Sequence, residues 1–460
     1  MKKKKFSMPN TFVILFVLLF IVWLLTFIIP SGAFKTSGAN DAVIPDSFNY
    51  MHSGFLNVLD LFMAIPKGLI DTADLIFLVL IMGGAVAVIE KQGTFNAAVQ
   101  KLVDKSGGNI YTLIVVIGIT FGMIHAFGVS ANAVIAFIPL GVILAQKLKL
   151  DAIAGVAIIY LSYFVGAVAP LFDPIALGIA QSIAKLPIFS GVGLRVVMFV
   201  VFMIVTLSYI IWYVRRISKD PDKSLMGKEK FTKSMTDNPE ERPVLTNRHK
   251  IIVLLFFATI LIFVYGSLRL GWGVNELSAL FIIDGILTAV VAKQKPNDFI
   301  DTFMSGARNI LFGALIIGVA RSITILMEDG KILDTLVHAL FIPLSQLSPM
   351  MGAIAMFIFN LVFNLLIPSG SGQAAVVMPL MTPLADVLDV TRQTAVIAFK
   401  MGDGITNMIT PVSGTLMAIL AVGGVPFTKW FKFALPLVVI WSVFAIIFVI
   451  IAVLINYGPA

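Results

Sequence analysis

The stretch Ile367-Pro368-Ser369-Gly370-Ser371-Gly372-Gln373 lies between two apolar runs, 350–366 and 374–388. Proline and closely spaced glycines break a helix there, at the depth where hydropathy demands a membrane. Broken backbone at that depth is tolerated only inside protein or beside a water-filled cavity. A partner stretch occurs earlier, Phe127-Gly128-Val129-Ser130-Ala131-Asn132, again flanked by apolar runs, and Ser130 precedes Ser371 by 241 residues. Paired interruptions at corresponding positions of two chain halves point to a transporter's binding site.

The composition agrees. The chain has 460 residues, 59% of them hydrophobic and 13% charged, with a mean hydropathy of +0.99. That balance belongs to an all-α polytopic membrane protein rather than a soluble one. The net charge of +8 does not mark a nucleic-acid partner, because the basic residues sit at the ends of apolar segments. There is no Cys, so disulfide and thiolate chemistry are excluded, and four scattered His make no metal cluster. No nucleophile–base pair suggests an enzyme, and no cofactor is expected beyond a coupling Na⁺ or H⁺.

Residues 1–54 read as a first transmembrane helix, 11–29, followed by an external loop. A first repeat spans 55–214. It opens with an amphipathic piece at 55–68, a crossing at 70–89 and a second amphipathic piece at 94–105. Hairpin arms follow at 109–126 and 131–146, then a long span 151–184 interrupted at Ala169-Pro170-Leu171-Phe172-Asp173-Pro174, and a return at 192–214. Residues 215–250 form a hydrophilic cytoplasmic linker, and 251–274 an extra transmembrane helix. The second repeat, 275–460, holds crossings at 275–292 and 309–327 with an amphipathic piece at 297–308 between them. After its hairpin comes a span 393–421 interrupted at Thr410-Pro411-Val412-Ser413-Gly414, then a last helix, 433–457. With the N-terminus cytoplasmic and the C-terminus external, cytoplasmic segments carry 24 Lys and Arg against 7 outside, Arg195 among the 7. That bias fixes the orientation.

The two halves align further. Asp60, Phe62 and Met63 match Asp301, Phe303 and Met304, and Pro170 matches Pro411, all at a separation of 241. A near-constant offset over more than a hundred residues marks an internal repeat. In the assigned topology 70–89 runs inward and 309–327 outward, so the repeat is inverted and each copy holds a re-entrant hairpin and an interrupted helix. Alternating access around a midplane site follows.

Ser130, Asn132, Ser369, Ser371 and Gln373 at the hairpin tips offer oxygens and amides to a substrate, with Ser130, Asn132 and Ser371 as candidate Na⁺ ligands. Asp173 and Ser413 are placed to cap half-helices whose partial positive charge suits a carboxylate. Lys400 and Asp403 lie on one face of an apolar helix, with Asn407 one turn on. Intramembrane charges are functional candidates: Lys400 for a substrate carboxylate, Asp403 and Asp173 for a cation or proton or a substrate amine. His125 near the first tip titrates in a useful range. Arg321 reads as snorkelling outward, and Asp284, mid-span in 275–292, has no evident partner.

The motifs Gly128-Val129-Ser130-Ala131-Asn132, Pro368-Ser369-Gly370-Ser371-Gly372-Gln373, Lys400-Met401-Gly402-Asp403-Gly404 and Thr410-Pro411 resemble the YfcC-like branch of the anaerobic C4-dicarboxylate carrier (DcuC-type) family of the ion transporter superfamily. The resemblance covers about residues 8–457. It implies a homodimer in the bacterial plasma membrane, each protomer with a scaffold and an elevator-type transport domain. It also implies secondary active transport of a small carboxylate-bearing metabolite, a C4-dicarboxylate or an amino acid. An arginine/ornithine antiporter is the alternative, and an ion channel fits less well. Sister families carry Ser-Asn-Thr at both tips for Na⁺ and carboxylate. Here the tips read Ser130-Ala131-Asn132 and Ser371-Gly372-Gln373, which leaves the number of Na⁺ sites open.

Overall fold

The computed structural model describes residues 11–37, 42–43, 47–51, 56–105, 109–127, 131–173, 176–187, 189–227, 229–231, 245–270, 272–341 and 347–458. Among these, eighteen α-helices dominate, with four two-residue strands in the loop after α1 (Thr11–Leu25). Gly32–Ala33 (β1) pairs antiparallel with Asn49–Tyr50 (β4), and Thr36–Ser37 (β2) with Ala42–Val43 (β3). These small hairpins are the exception to the all-α expectation.

The first set of helices follows the apolar pattern closely. It comprises α2 (Val58–Asp71), α3 (Ala73–Lys91), α4 (Thr94–Lys105), α5 (Ile110–Ala126), a 3-10 helix Ala131–Phe137, α6 (Ile138–Lys147), α7 (Ala152–Val168), α8 (Ala176–Ile183) and α9 (Val192–Lys219). Asn57 opens α2 with a capping box in which Asp60 answers its backbone N–H. α10 (Asn247–Leu270) and α11 (Val274–Val291) come next. The linker is shorter than its hydrophilic stretch, since α9 claims 215–219 and α10 begins at Asn247; residues 232–244 lie outside the described part.

The second set is α12 (Pro296–Asp329), α13 (Leu333–Phe341), α14 (Pro349–Phe363), α15 (Gly370–Val387), α16 (Arg392–Asn407), α17 (Gly414–Gly423) and α18 (Phe427–Leu454). The order matches the first set with two departures, the first being that α15 stands where the first set has the 3-10 helix and α6. Where α2 and α3 are separate helices that meet at Thr72, α12 is one helix of 34 residues, so the amphipathic piece 297–308 and the crossing 309–327 are continuous. Five described helices are long and apolar enough to cross a membrane: α3, α9, α11, α12 and α18. The arms and half-helices are shorter and occur in pairs.

Packing divides the helices into two groupings. α1, α2, α3, α10, α11 and α12 pack among themselves. Around α7 and α16, which pack on each other, gather α5, α6, α8, α9, α14, α15, α17 and α18, while α4 and the α12–α17 contact bridge the groupings. Every residue of α7 is buried, and so is α16 from Gln393 to Asn407. The helices on either side of each interruption lie against one of these central helices: α5 and α6 on α7, α14 and α15 on α16.

Such close approach requires glycine at particular points. A Cβ on Gly166 in α7 would stand 2.4 Å from the Ala126 nitrogen and 2.6 Å from the Gly122 carbonyl of α5. Backbone cannot yield as a side chain can, so Gly166→Ala forces α5 and α7 apart. A loss of about 1–3 kcal/mol is expected, seen as a lowered melting temperature of the detergent-purified protein; an unchanged melting curve would contradict this packing.

Candidate functional site

Both interruptions and the second hairpin tip converge on one cavity of about 300 Å³. The convergence crosses the two halves of the chain: α15 packs on α8, whereas α17 packs on the 3-10 helix and α6. Helix N-termini from both halves thus open on the same space.

At the centre stands Lys400, about two turns before the end of α16. Its Nζ lies 2.9 Å from Asp403 Oδ2 and 3.8 Å from Asp173 Oδ2. The spacing of three within α16 brings the first pair together, and the break after α7 delivers Asp173 from the other half. Lys400 is 3% exposed, Asp403 4% and Asp173 7%. Two carboxylates therefore share one ammonium in a place nearly closed to water, where ions are costly unless paired. The Asp403 backbone carbonyl accepts from Asn364 Nδ2 at 2.8 Å and Asn407 Nδ2 at 3.0 Å, and its Oδ1 accepts from Asn407 Nδ2 at 3.1 Å. Asn407 lines the cavity, and its buried Oδ1 has no hydrogen-bond partner.

The caps are in place. Ser369 accepts from the Gly372 N–H at the start of α15, and Ser413 from the Leu416 N–H at the start of α17. A Cβ on Gly370 would come within 3.0 Å of Asp403 Oδ2, so glycine there lets the hairpin tip close on the carboxylate. Asp173 Oδ2 accepts from the Leu177 N–H of α8 at 3.3 Å; Pro174 lies outside the described residues. Asn132 lines the cavity and accepts from Thr415 Oγ1 at 2.7 Å, joining the first tip to α17. His125 also lines it, its ring 4.4 Å from that of Tyr163 and its Nδ1 unbonded.

Of the residues read from the sequence, the structure gathers Asn132, Asp173, Ser369, Ser371, Lys400, Asp403, Asn407, Ser413 and His125 around this cavity. Ser130 falls outside the described residues. Gln373 does not line the cavity: it is fully buried, and its Nε2 donates to the Asn360 carbonyl and Oδ1 at 3.2 and 3.0 Å. The cavity also takes in Thr415, which follows the anticipated cap by two residues, in the first turn of α17. Among the described residues no group of three or more His, Asp or Glu could hold a metal ion.

The breaks are held from outside. Arg195, counted as an external charge by topology, is fully buried and donates to the carbonyls of Pro170, Leu171, Phe189 and Ser190. A lone Arg four residues into an apolar run was the available signal. Trp430 Nε1 donates to the Met408 carbonyl on the opposite side at 2.9 Å. Arg321, expected to snorkel, is paired with Asp71 at 2.6 Å and Glu328 at 3.6 Å.

Two substitutions test this geometry. Lys400→Met leaves two buried carboxylates without a cation and should cost about 3–5 kcal/mol. Adding Asp403→Asn should return part of that loss, and a double variant no more stable than the single one would contradict the pairing. Asn132→Ala should abolish most transport with folding intact, whereas Gln373→Ala should act first on melting temperature by orphaning Asn360, by about 1–3 kcal/mol.

Residues 8–454 match the profile of the C4-dicarboxylate anaerobic carrier family. The Escherichia coli protein YfcC, provisionally named a basic amino acid antiporter, is 28% identical, over 99% of this chain and 98% of its own. An uncharacterised Haemophilus influenzae protein is 27% identical over 95% of each chain. Among solved structures, the Alcanivorax borkumensis YdaH transporter aligns with a TM-score of 0.43 at 17% identity, over 98% of this chain and 100% of its own.

Proposed function

The chain belongs to the C4-dicarboxylate anaerobic carrier family, a family of polytopic membrane transporters, and on that premise we propose that it is a secondary active transporter that exchanges amino acids with cationic side chains. The observation that carries the reading is the seat of Lys400. One buried ammonium sits between Asp173 and Asp403 in the wall of the cavity, and the two carboxylates outnumber it. A guanidinium or ammonium entering on the substrate would take over one carboxylate, while Lys400 keeps the other. The substrate's carboxylate would meet the N–H groups at the starts of α15 and α17. Asn407 Oδ1 supplies a further acceptor for an amine. The provisional name of the Escherichia coli relative points the same way.

A C4-dicarboxylate is the second reading. The two helix N-termini and Lys400 favour it, as does the family's description; the two carboxylates in the wall oppose it. In either case the repeated order of helices supports inverted repeats with re-entrant hairpins. The grouping around α7 and α16 supports an elevator that moves against the grouping around α3 and α12. Assembly as a homodimer in the bacterial plasma membrane, with the N-terminus cytoplasmic and the C-terminus external, completes the proposal.

Thermal stabilisation of the purified protein tests the substrate class. A ligand that binds only the folded state at a hundred times its Kd adds about 2.7 kcal/mol. Arginine, ornithine or lysine should raise the melting temperature, and the same compounds should support counterflow in proteoliposomes. Stabilisation by succinate or malate alone would overturn the cationic reading. Each ligand is measured with and without Na⁺: a shared requirement would make Asn132 and Ser371, with Ser130, Na⁺ ligands, and its absence would remove them.

A further inference from the structure

Asp284 stands apart from the cavity, in the middle of α11 and on its inward stripe with Leu277, Phe281, Gly285, Thr288 and Ala289. It is 1% exposed, and neither carboxylate oxygen has a hydrogen-bond partner. One turn on, Thr288 is fully buried and its hydroxyl is also unbonded. α11 packs against α3 and α10. It runs parallel to α3, for a Cβ on Gly285 would meet the Ala85 Cα at 3.6 Å, and Arg248 spans Gln92 and the Ala292 carbonyl at the shared cytoplasmic end. The facing part of α3 holds Met82, Gly84, Ala85 and Val88, all buried.

The charged groups of the neighbouring helices lie elsewhere. On α3 they are Asp74 in the first turn and Glu90 and Lys91 in the last; on α10 they are Arg248, His249 and Lys250 in the first turn and Arg269 near the end. α12 presents the ring of Phe299 near Gly285, with its Asp298 and Asp301 exposed. Arg248, at the level of Ala292, is eight residues or about 12 Å along the axis from Asp284. An ionised carboxylate so placed would bear several kcal/mol of desolvation with nothing to offset it. A hard metal ion would need about six oxygens, and among the described residues of this stripe only Thr288 adds an unbonded one. A proton needs a single oxygen, and the resulting hydroxyl can turn toward Thr288 on the same helix face.

We propose that Asp284 is a proton-binding site of the α3–α11 grouping, occupied in this conformation and emptied only when the two helices part enough to admit water. The site is separate from the cavity around Lys400 and does not depend on which substrate that cavity takes.

Infrared difference spectra between the wild type and Asp284→Asn, at neutral pH in detergent, read the group directly. The expected result is the carbonyl stretch of a protonated carboxylic acid, lost in the variant; carboxylate bands in its place would overturn the proposal. Melting curves give an independent reading, with Asp284→Leu replacing the neutral acid by an apolar isostere. As pH rises above the ~3.9 of an exposed Asp, the unfolded wild type releases the proton that the folded protein keeps, and stability falls. The leucine variant has no such loss, so its advantage in melting temperature should grow with pH. A leucine variant less stable than the wild type at every pH, or Na⁺-dependent stabilisation of the wild type that the variant lacks, would overturn the assignment.

Discussion

The arrangement of this protein rests on one ammonium group shared by two carboxylates in a space nearly closed to water. Lys400 and Asp403 come from one helix, Asp173 from the other half of the chain. Charges so buried are stable only together, so the two interrupted spans are held in register by electrostatics as well as packing. Whatever enters the cavity must renegotiate that sharing. The same feature thus joins the two halves of the chain across the cavity.

Around it the backbone breaks are satisfied one by one. Ser369 and Ser413 cap the helices that begin at the cavity, and Arg195 takes two carbonyls of the break after α7, Pro170 and Leu171, and two of the loop before α9, Phe189 and Ser190. In hydrocarbon no water would do this work. The crossed packing of α15 on α8 and of α17 on α6 explains why neither repeat could build the cavity alone.

Much of this was legible in the sequence because the signals were violations. Gly and Pro in apolar runs marked the breaks, and Lys400, Asp403 and Asp173 were charges where charges are expensive. What the sequence concealed was rotation and continuity. Asn132 and Gln373 occupy matching positions in the repeat, but the first sits in a 3-10 helix and the second in an α-helix. Three residues per turn and 3.6 aim side chains differently, so one faces the cavity and the other faces Asn360. The two-residue strands after α1 and the short helix α13 are too brief to impose a periodic pattern. The unity of α12 was hidden by a change from amphipathic to apolar character at residue 309, though no breaker stands there.

That unity distinguishes the two halves of the chain. At 34 residues α12 is about 51 Å long, and it touches α1, α2 and α3 along one grouping and α17 in the other. Its counterpart is jointed at Thr72. A pair of helices has a joint at which it can bend, whereas α12 has no break in its hydrogen-bonded backbone between Pro296 and Asp329. α12 is therefore one continuous element that meets the start of α17, where a Cβ on Gly414 would stand 3.1 Å from Ile317, and also packs along α1, α2 and α3.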